Sequence, residues 1–180
     1  MDSPTARAPR ILLIAGLIVA AALSRLVPHP WNFSPIETTA LFAGAMFVDR
    51  RLALIVPIAA MFLSDIFLGF HGGMPVVYGA IALMAWFGRG LMGKRTPVRI
   101  ASYGLASAVF FFVVTNLSVW LGSGMYSLDW SGFVTCFTLA IPFFQNQLAG
   151  VAFYSILLFG GYALAEQYGS TRALTTEERG

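Results

Sequence analysis

Charged residues are scarce in this sequence of 180 residues. Asp, Glu, Lys and Arg make up 11% of it, whereas a soluble domain carries about 25%. Hydrophobic residues account for 58%, and the mean hydropathy is +0.76. Apolar runs near membrane-spanning length recur from Ile11 to Tyr168. The composition therefore excludes a soluble globular domain and predicts an all-α integral membrane protein with a single domain.

Cysteine and catalytic motifs are also nearly absent. The one cysteine, Cys136, excludes an internal disulfide and any cysteine-cluster metal site. The sequence has no phosphate-binding glycine loop, no zinc-protease motif and no nucleophile beside an obvious base. We therefore expect no enzymatic activity, no intrinsic cofactor and no ability to drive transport by ATP hydrolysis in this chain alone.

The basic residues indicate how the chain is oriented. They occur in short clusters between apolar segments, which is typical of membrane topology and does not suggest nucleic-acid binding. If the N-terminus is cytoplasmic, Arg25 is the one basic residue on the outer side. The pattern predicts a multi-pass protein with both termini cytoplasmic. The cytoplasmic set is Arg7, Arg10, Arg50, Arg51, Arg89, Lys94, Arg95, Arg99, Arg172 and Arg179.

The apolar segments predict six spanning helices with flexible ends at 1–9 and 169–180. We expect the first segment to be a retained helix and not a signal peptide, because its apolar run continues through Val27. Residues 131–168 would form a helix of about 57 Å. Pro142 and the amides after it therefore predict a short helix at 131–141 before the last spanning helix. The spanning helices are predicted at about 10–27, 35–48, 52–70, 76–92, 100–121 and 146–168.

Three unusual loops fall on the predicted outer side, at 28–39, 71–75 and 122–130. They are rich in Gly, Pro, aromatic and polar residues, and they contain no Lys or Arg. Irregular backbone near a membrane is tolerated where protein buries it or where it lines a cavity. We therefore expect the functional chemistry at this end.

Glu37, Asp65 and Asn116 are polar residues inside or at the ends of apolar helices, where such groups often face a functional interior. Glu37 has a structural alternative, because Ser34-Pro35-Ile36-Glu37 fits a capping box with proline at the first helical position. Asp65 also has one, as the partner of Arg25 or as a loop cap.

Several other side chains near this end allow two interpretations each. His29 and His71, with Glu37 and Asp65, could bind a metal ion, or the histidines could simply bond backbone or water. The aromatic residues are either membrane-interface anchors or walls of a ligand pocket; those beside loop-forming residues are Trp31, Phe33 and Tyr126. The amides after Pro142 either satisfy freed backbone or bind ligand amides; they are Gln145, Asn146 and Gln147.

Gly16, Ala20 and Ser24 form a stripe of small residues on the first helix. Such a stripe permits close helix contact. Internal packing and docking of another membrane protein are both consistent with it.

Nearly the whole chain, about 10–168, resembles small bacterial membrane proteins similar to the substrate-binding S components of energy-coupling-factor (ECF) vitamin transporters. The matching stretches are Arg25-Leu26-Val27-Pro28-His29-Pro30-Trp31-Asn32-Phe33-Ser34-Pro35, Leu63-Ser64-Asp65-Ile66-Phe67-Leu68-Gly69-Phe70-His71, Val77-Tyr78-Gly79, Thr115-Asn116 and Ala140-Ile141-Pro142-Phe143-Phe144 with Asn146. The resemblance implies a six-helix bundle in the bacterial cytoplasmic (inner) membrane, with a deep vitamin pocket open to the outside. It also implies that Gly16, Ala20 and Ser24 could dock an ECF coupling module, although the family pattern there is alanine-xxx-alanine.

The best-defined relatives in that group are solitary cobalamin-specific S components, which ligate cobalt with a cysteine thiolate near the start of helix 4. This chain has Ala80 there, so either Cys136 reaches the pocket, or cysteine ligation of cobalt is absent and His29 or His71 replaces it, or cobalt is not ligated at all. We therefore expect a substrate-binding importer of a vitamin, with cobalamin or a related corrinoid as the leading substrate. The alternatives are a divalent-metal importer or sensor and a non-transporting scaffold. The expected substrate-binding residues are His29, Trp31, Asn32, Phe33, Asp65, His71, Tyr78, Ala80, Asn116, Tyr126, Gln145 and Asn146.

Overall fold

The computed structural model describes residues 4–167, with side chains described from residue 15 onward. This part of the chain is all helical and contains no strand, so the predicted all-α class is confirmed. A short 3₁₀ turn, Arg89–Leu91, follows the fourth helix, and a π-helical turn, Ile156–Gly160, lies within the last. The helices are α1 Pro4–Leu26, α2 Ile36–Met46, α3 Arg50–Leu68, α4 Met74–Gly88, α5 Pro97–Gly122 and α6 Trp130–Gln167.

Within the described residues, four helices are long and apolar enough to cross a membrane: α3, α4 with its 3₁₀ extension, α5 and α6. The described apolar part of α1, Ala15–Leu26, is shorter. Residues 4–9 belong to α1, so the first helix begins earlier than the predicted boundary at residue 10. The predicted flexible end at 169–180 lies outside the described residues.

The short helix α2 is the centre of the bundle. Its first ten residues, 36–45, are all buried, and it contacts α3, α4, α5 and α6. At 11 residues it is about 16 Å long, roughly half of a hydrocarbon core of about 30 Å. A helix buried on every face needs no polar stripe, so its polar residues require a specific explanation.

Two glycines allow α2 to pack closely against α4. A β-carbon at Gly44 would overlap the backbone carbonyl of Ala85. A β-carbon at Gly88 would overlap the backbone of Leu41 in the same way. Each helix thus contributes a glycine where the other helix's backbone approaches, which is the role of small residues in membrane-helix packing.

The predicted break in the last helix is absent, and the separate helices 131–141 and 146–168 are wrong in the described chain. α6 runs without interruption through Pro142, over 38 residues. A proline removes one hydrogen bond, and in membrane helices neighbouring helices offset this loss; here α6 packs along α5. The helix begins at Asp129, which accepts hydrogen bonds from the Gly132 amide at 2.7 Å and the Ser127 hydroxyl at 2.8 Å. These bonds lower the pKa of Asp129.

The bundle has two chemically different ends. At one end Arg89 donates to the Phe47 carbonyl at 3.4 Å, and Arg95 lies 3.7 Å from Glu166. We call this the basic end. At the other end the last turn of α1 meets the last turns of α3 and the first turns of α4 beneath loop 27–35. We call this the cavity end.

Candidate functional site

A cavity of about 420 Å³ lies beneath loop 27–35 at the cavity end. Pockets for small organic ligands measure about 300–1,000 Å³. Its wall is formed by the loop, the start of α2 and residues from four further helices, α1, α3, α4 and α5. The lining residues are Arg25, Leu26, Val27, Pro28, His29, Trp31, Asn32, Ser34, Ile36, Glu37, Met61, Leu68, Val77, Ile81 and Phe111.

Loop 27–35 is ordered by its own backbone and fastened to α6. The Phe33 amide donates to the Pro30 carbonyl at 3.0 Å, and Asn32 has a φ of 63°, a conformation that asparagine tolerates better than most residues. The ring centroid of Phe33 lies 5.8 Å from that of Phe153 and 5.6 Å from that of Tyr154. Phe33 is therefore the anchor of the loop and does not line the cavity.

Asp65 is the hub of a closed polar network at the edge of the cavity. Its Oδ1 lies 2.8 Å from Arg25 Nη1, and its Oδ2 accepts a hydrogen bond from the Tyr78 hydroxyl at 2.8 Å. The same Arg25 nitrogen also donates to the Ser64 hydroxyl and, at 3.3 Å, to the Met61 carbonyl. The predicted partnership of Asp65 with Arg25 is confirmed. Asp65 and Tyr78 do not line the cavity themselves. Asp65 bonds Arg25, which does line it, and Tyr78 bonds Asp65.

Glu37 is the second buried carboxylate at this end, and its surroundings are different. It lies in the first turn of α2, is 6% exposed and lines the cavity. Its Oε2 accepts a hydrogen bond from Gln147 Nε2 at 3.0 Å, and that amide also donates to the Ala108 carbonyl at 3.0 Å. Among the described residues no basic side chain forms an ion pair with Glu37.

The predicted capping box is wrong. Pro35 occupies the N-cap position without a side-chain cap, and Ser34 Oγ accepts a hydrogen bond from the Ile36 amide at 3.4 Å. The Glu37 carboxylate bonds Gln147 on α6 and does not turn back to the start of α2. Glu37 is therefore an acidic residue in the first turn of α2, as predicted, but it does not complete a capping box.

The predicted site residues are divided between the cavity and other places. His29, Trp31 and Asn32 line the cavity. Ala80 is buried inside the bundle, and the Asn116 amide donates to the Phe112 carbonyl of its own helix at 2.7 Å. The remaining predicted residues are exposed or half-buried outside the cavity lining: His71, Tyr126, Gln145 and Asn146.

The structure does not assemble the suggested metal ligands. Within the described residues no group of three or more His, Cys, Asp or Glu side chains could hold a metal ion. Cys136 is buried on α6, with its sulfur 3.6 Å from the Asn116 carbonyl oxygen, away from the cavity lining. His29 lines the cavity and His71 does not.

Gln147 belongs to the site, although the sequence did not distinguish it from the other amides after Pro142. The amide cluster after Pro142 suggested a helix break, whereas Gln145 is exposed and Gln147 is 1% exposed. The spacing of small residues gives a usable signal: Gly150 lies one turn from Gln147, and a β-carbon there would come 3.1 Å from the Ser34 amide. The face of α6 that carries Gly150 and, one turn earlier, Gln147 therefore points toward loop 27–35.

The small-residue stripe on α1 does not serve internal packing at its first two positions. Gly16 and Ala20 are exposed, and Ser24 is half-buried with its hydroxyl bonded to the Ala21 carbonyl at 2.8 Å. The core contacts of α1 are made instead by Ala21 and its neighbours.

Comparison with known proteins places the chain in a family and goes no further. No curated protein and no solved structure matches it. One family profile matches residues 5–173, nearly the full sequence, and its description is "Family of unknown function (DUF6580)". The chain belongs to this family, DUF6580.

Proposed function

We propose that this protein is a substrate-binding membrane transport protein that imports a vitamin through the cavity beneath loop 27–35. The observation that carries the proposal is a ligand-sized cavity whose wall combines apolar side chains with Arg25, His29 and Glu37. The basic clusters lie at the opposite end of the bundle, so the positive-inside rule directs the cavity outward. The membrane in this proposal is the bacterial cytoplasmic (inner) membrane, with both termini cytoplasmic.

Cobalamin or a related corrinoid is the first substrate to test, on the strength of the sequence resemblance. His29 is the candidate cobalt ligand in the cavity. Its Nδ1 donates to the Val27 carbonyl oxygen at 2.6 Å, so Nε2 is the ring nitrogen that would face cobalt. A corrinoid is larger than 420 Å³, so its binding requires loop 27–35 to open.

A coupling partner belongs to the same proposal. The exposed positions Gly16 and Ala20 offer a smooth face on α1, and small residues let another membrane helix approach closely. An ECF coupling module docked there would supply the ATP hydrolysis that this chain lacks. Without such a module the protein would act as a solitary transporter.

The test is cobalamin uptake in a strain that depends on external cobalamin. Wild-type protein should restore growth at low cobalamin, and purified protein should carry the absorption band of cobalamin. Leu68→Trp, at the cavity rim where the leucine is 54% exposed, should abolish both effects. Leu54→Trp is the matched control, since it changes an exposed leucine of the same helix outside the cavity lining.

Failure of the wild-type protein to restore growth or to bind cobalamin would remove the corrinoid from the proposal. Thermal stabilisation by a divalent metal that is lost in His29→Ala would support the metal importer or sensor instead. Absence of any ligand response would support the scaffold.

A further inference from the structure

We propose that the solute bound in this cavity is an organic cation, and that Glu37 is its counter-ion. This inference rests on the proposed transport function and names the substrate class of the same cavity. The ligand would place a positively charged nitrogen, or another cationic centre, against the Glu37 carboxylate.

The ionisable groups around the cavity are not equally paired. Three lining residues can carry charge: Arg25, His29 and Glu37. Arg25 is neutralised by Asp65 at 2.8 Å, so this pair adds no net charge. His29 is exposed at the mouth, where its ring bonds a backbone carbonyl. Glu37 is thus the acidic group of the wall that the described chain leaves without a cationic partner, and a bound cation would favour its ionised form.

Among the described residues, the hydrogen-bond donor to Glu37 cannot act as its counter-ion. Gln147 is a neutral amide, and its nitrogen is shared between Glu37 and the Ala108 carbonyl. A buried carboxylate is costly unless it is paired and hydrogen-bonded. The amino-terminal end of α2 favours negative charge at this position. The wall therefore holds the carboxylate in place and leaves its ion pair to a ligand.

The rest of the wall suits an organic cation better than a bare metal ion. A metal ion needs several ligating side chains, and the described residues contain no such group. Trp31 and Phe111 line the same cavity, and aromatic faces attract organic cations. The apolar side chains of Met61, Val77 and Ile81 would cover the carbon frame of the solute.

The test compares soluble probes of similar shape and different charge on the purified full-length protein. Choline and its neutral carbon isostere 3,3-dimethylbutan-1-ol form a matched pair. Benzyltrimethylammonium is a bulkier cation, benzoate is the anion, and cyanocobalamin reports the proposed function separately. Binding is measured by isothermal titration and by the shift in thermal unfolding temperature.

The expected result is at least tenfold tighter binding of the cations than of the neutral isostere or the anion. Glu37→Gln should abolish this preference. Glu166→Gln, which changes a carboxylate at the basic end, should keep it. If Glu37→Gln does not fold, the comparison of choline with its isostere on the wild-type protein still decides the question.

Equal binding of the isosteric pair, or cation binding that survives in Glu37→Gln, would overturn the inference. Binding of cyanocobalamin without binding of either cation would overturn it and leave the transport function standing. Failure of every probe, cyanocobalamin included, would overturn both.

Discussion

Asp65 and Glu37 are two buried carboxylates at the same end of one helical bundle, and their surroundings differ. Asp65 is 2% exposed and is met by a guanidinium and a phenol, both at 2.8 Å. Glu37 is 6% exposed and is met by an amide. Asp65 therefore has its counter-ion within the chain. Glu37 faces a cavity and has no counter-ion among the described residues.

The partners of the two carboxylates distinguish a structural residue from a candidate binding residue. Their burial does not, because both are buried. A buried ion pair with all its hydrogen bonds holds helices in register, and removal of either partner is costly. Arg25, Asp65 and Tyr78 thereby connect α1, α3 and α4. Glu37 has no such ion pair among the described residues. Its position is explained if it binds something from outside the chain.

The largest expected effect is on stability when the closed network loses Asp65. Asp65→Ala leaves Arg25 without its counter-ion and should lower the free energy of unfolding by about 3–5 kcal/mol. Chemical denaturation in mixed micelles would measure it. The double variant Arg25→Met with Asp65→Leu removes both charges and should recover most of the loss. If the double variant is as unstable as the single one, the charge pair is not what the network contributes.

A smaller loss is expected when Tyr78 is replaced by Phe. The variant removes the phenol hydrogen bond to the Asp65 carboxylate, and bonds to charged groups contribute about 1.5–3 kcal/mol. A double-mutant cycle with Asp65→Asn, followed by denaturation, would isolate the coupling between the two residues. Zero coupling would show that Tyr78 stabilises α4 independently of Asp65.

The smallest effect on stability is expected at Glu37. Glu37→Gln keeps an oxygen acceptor for Gln147 in a side chain of nearly the same size, so the free energy of unfolding should change by less than about 1 kcal/mol. Ligand binding should be lost in the same variant. Denaturation and titration on one preparation would measure both. A loss of several kcal/mol would make Glu37 a structural residue like Asp65.

Much of the fold was predictable because hydropathy and helix punctuation are local. Five helices lie close to their predicted positions, and the charge pattern correctly distinguished a basic end from an end rich in unusual loops. The helix break predicted at Pro142 was wrong because the cost of a proline depends on packing against α5, which the sequence does not show. Loop 27–35 was recognised as unusual. The role of its Phe33 as an anchor on α6 depends on a contact more than 100 residues away in the chain.

The two carboxylates show the same limit. Arg25 and Asp65 could be matched from the sequence because both lie near predicted helix ends on one side of the membrane. Glu37 and Gln147 are 110 positions apart, and the local pattern around Glu37 fitted a capping box that does not form. A local motif competes with a long-range contact, and only the folded chain decides between them.

The most direct test of the central claim, that the cavity faces outward, is thiol labelling from outside the cell. Cys136 is buried and would first be replaced by Ala. Trp31→Cys at the cavity end and Val98→Cys at the basic end are then matched reporters, since the native residues are 78% and 76% exposed. A membrane-impermeant maleimide should label Trp31→Cys in intact cells and Val98→Cys only after permeabilisation. The reverse pattern would contradict the account.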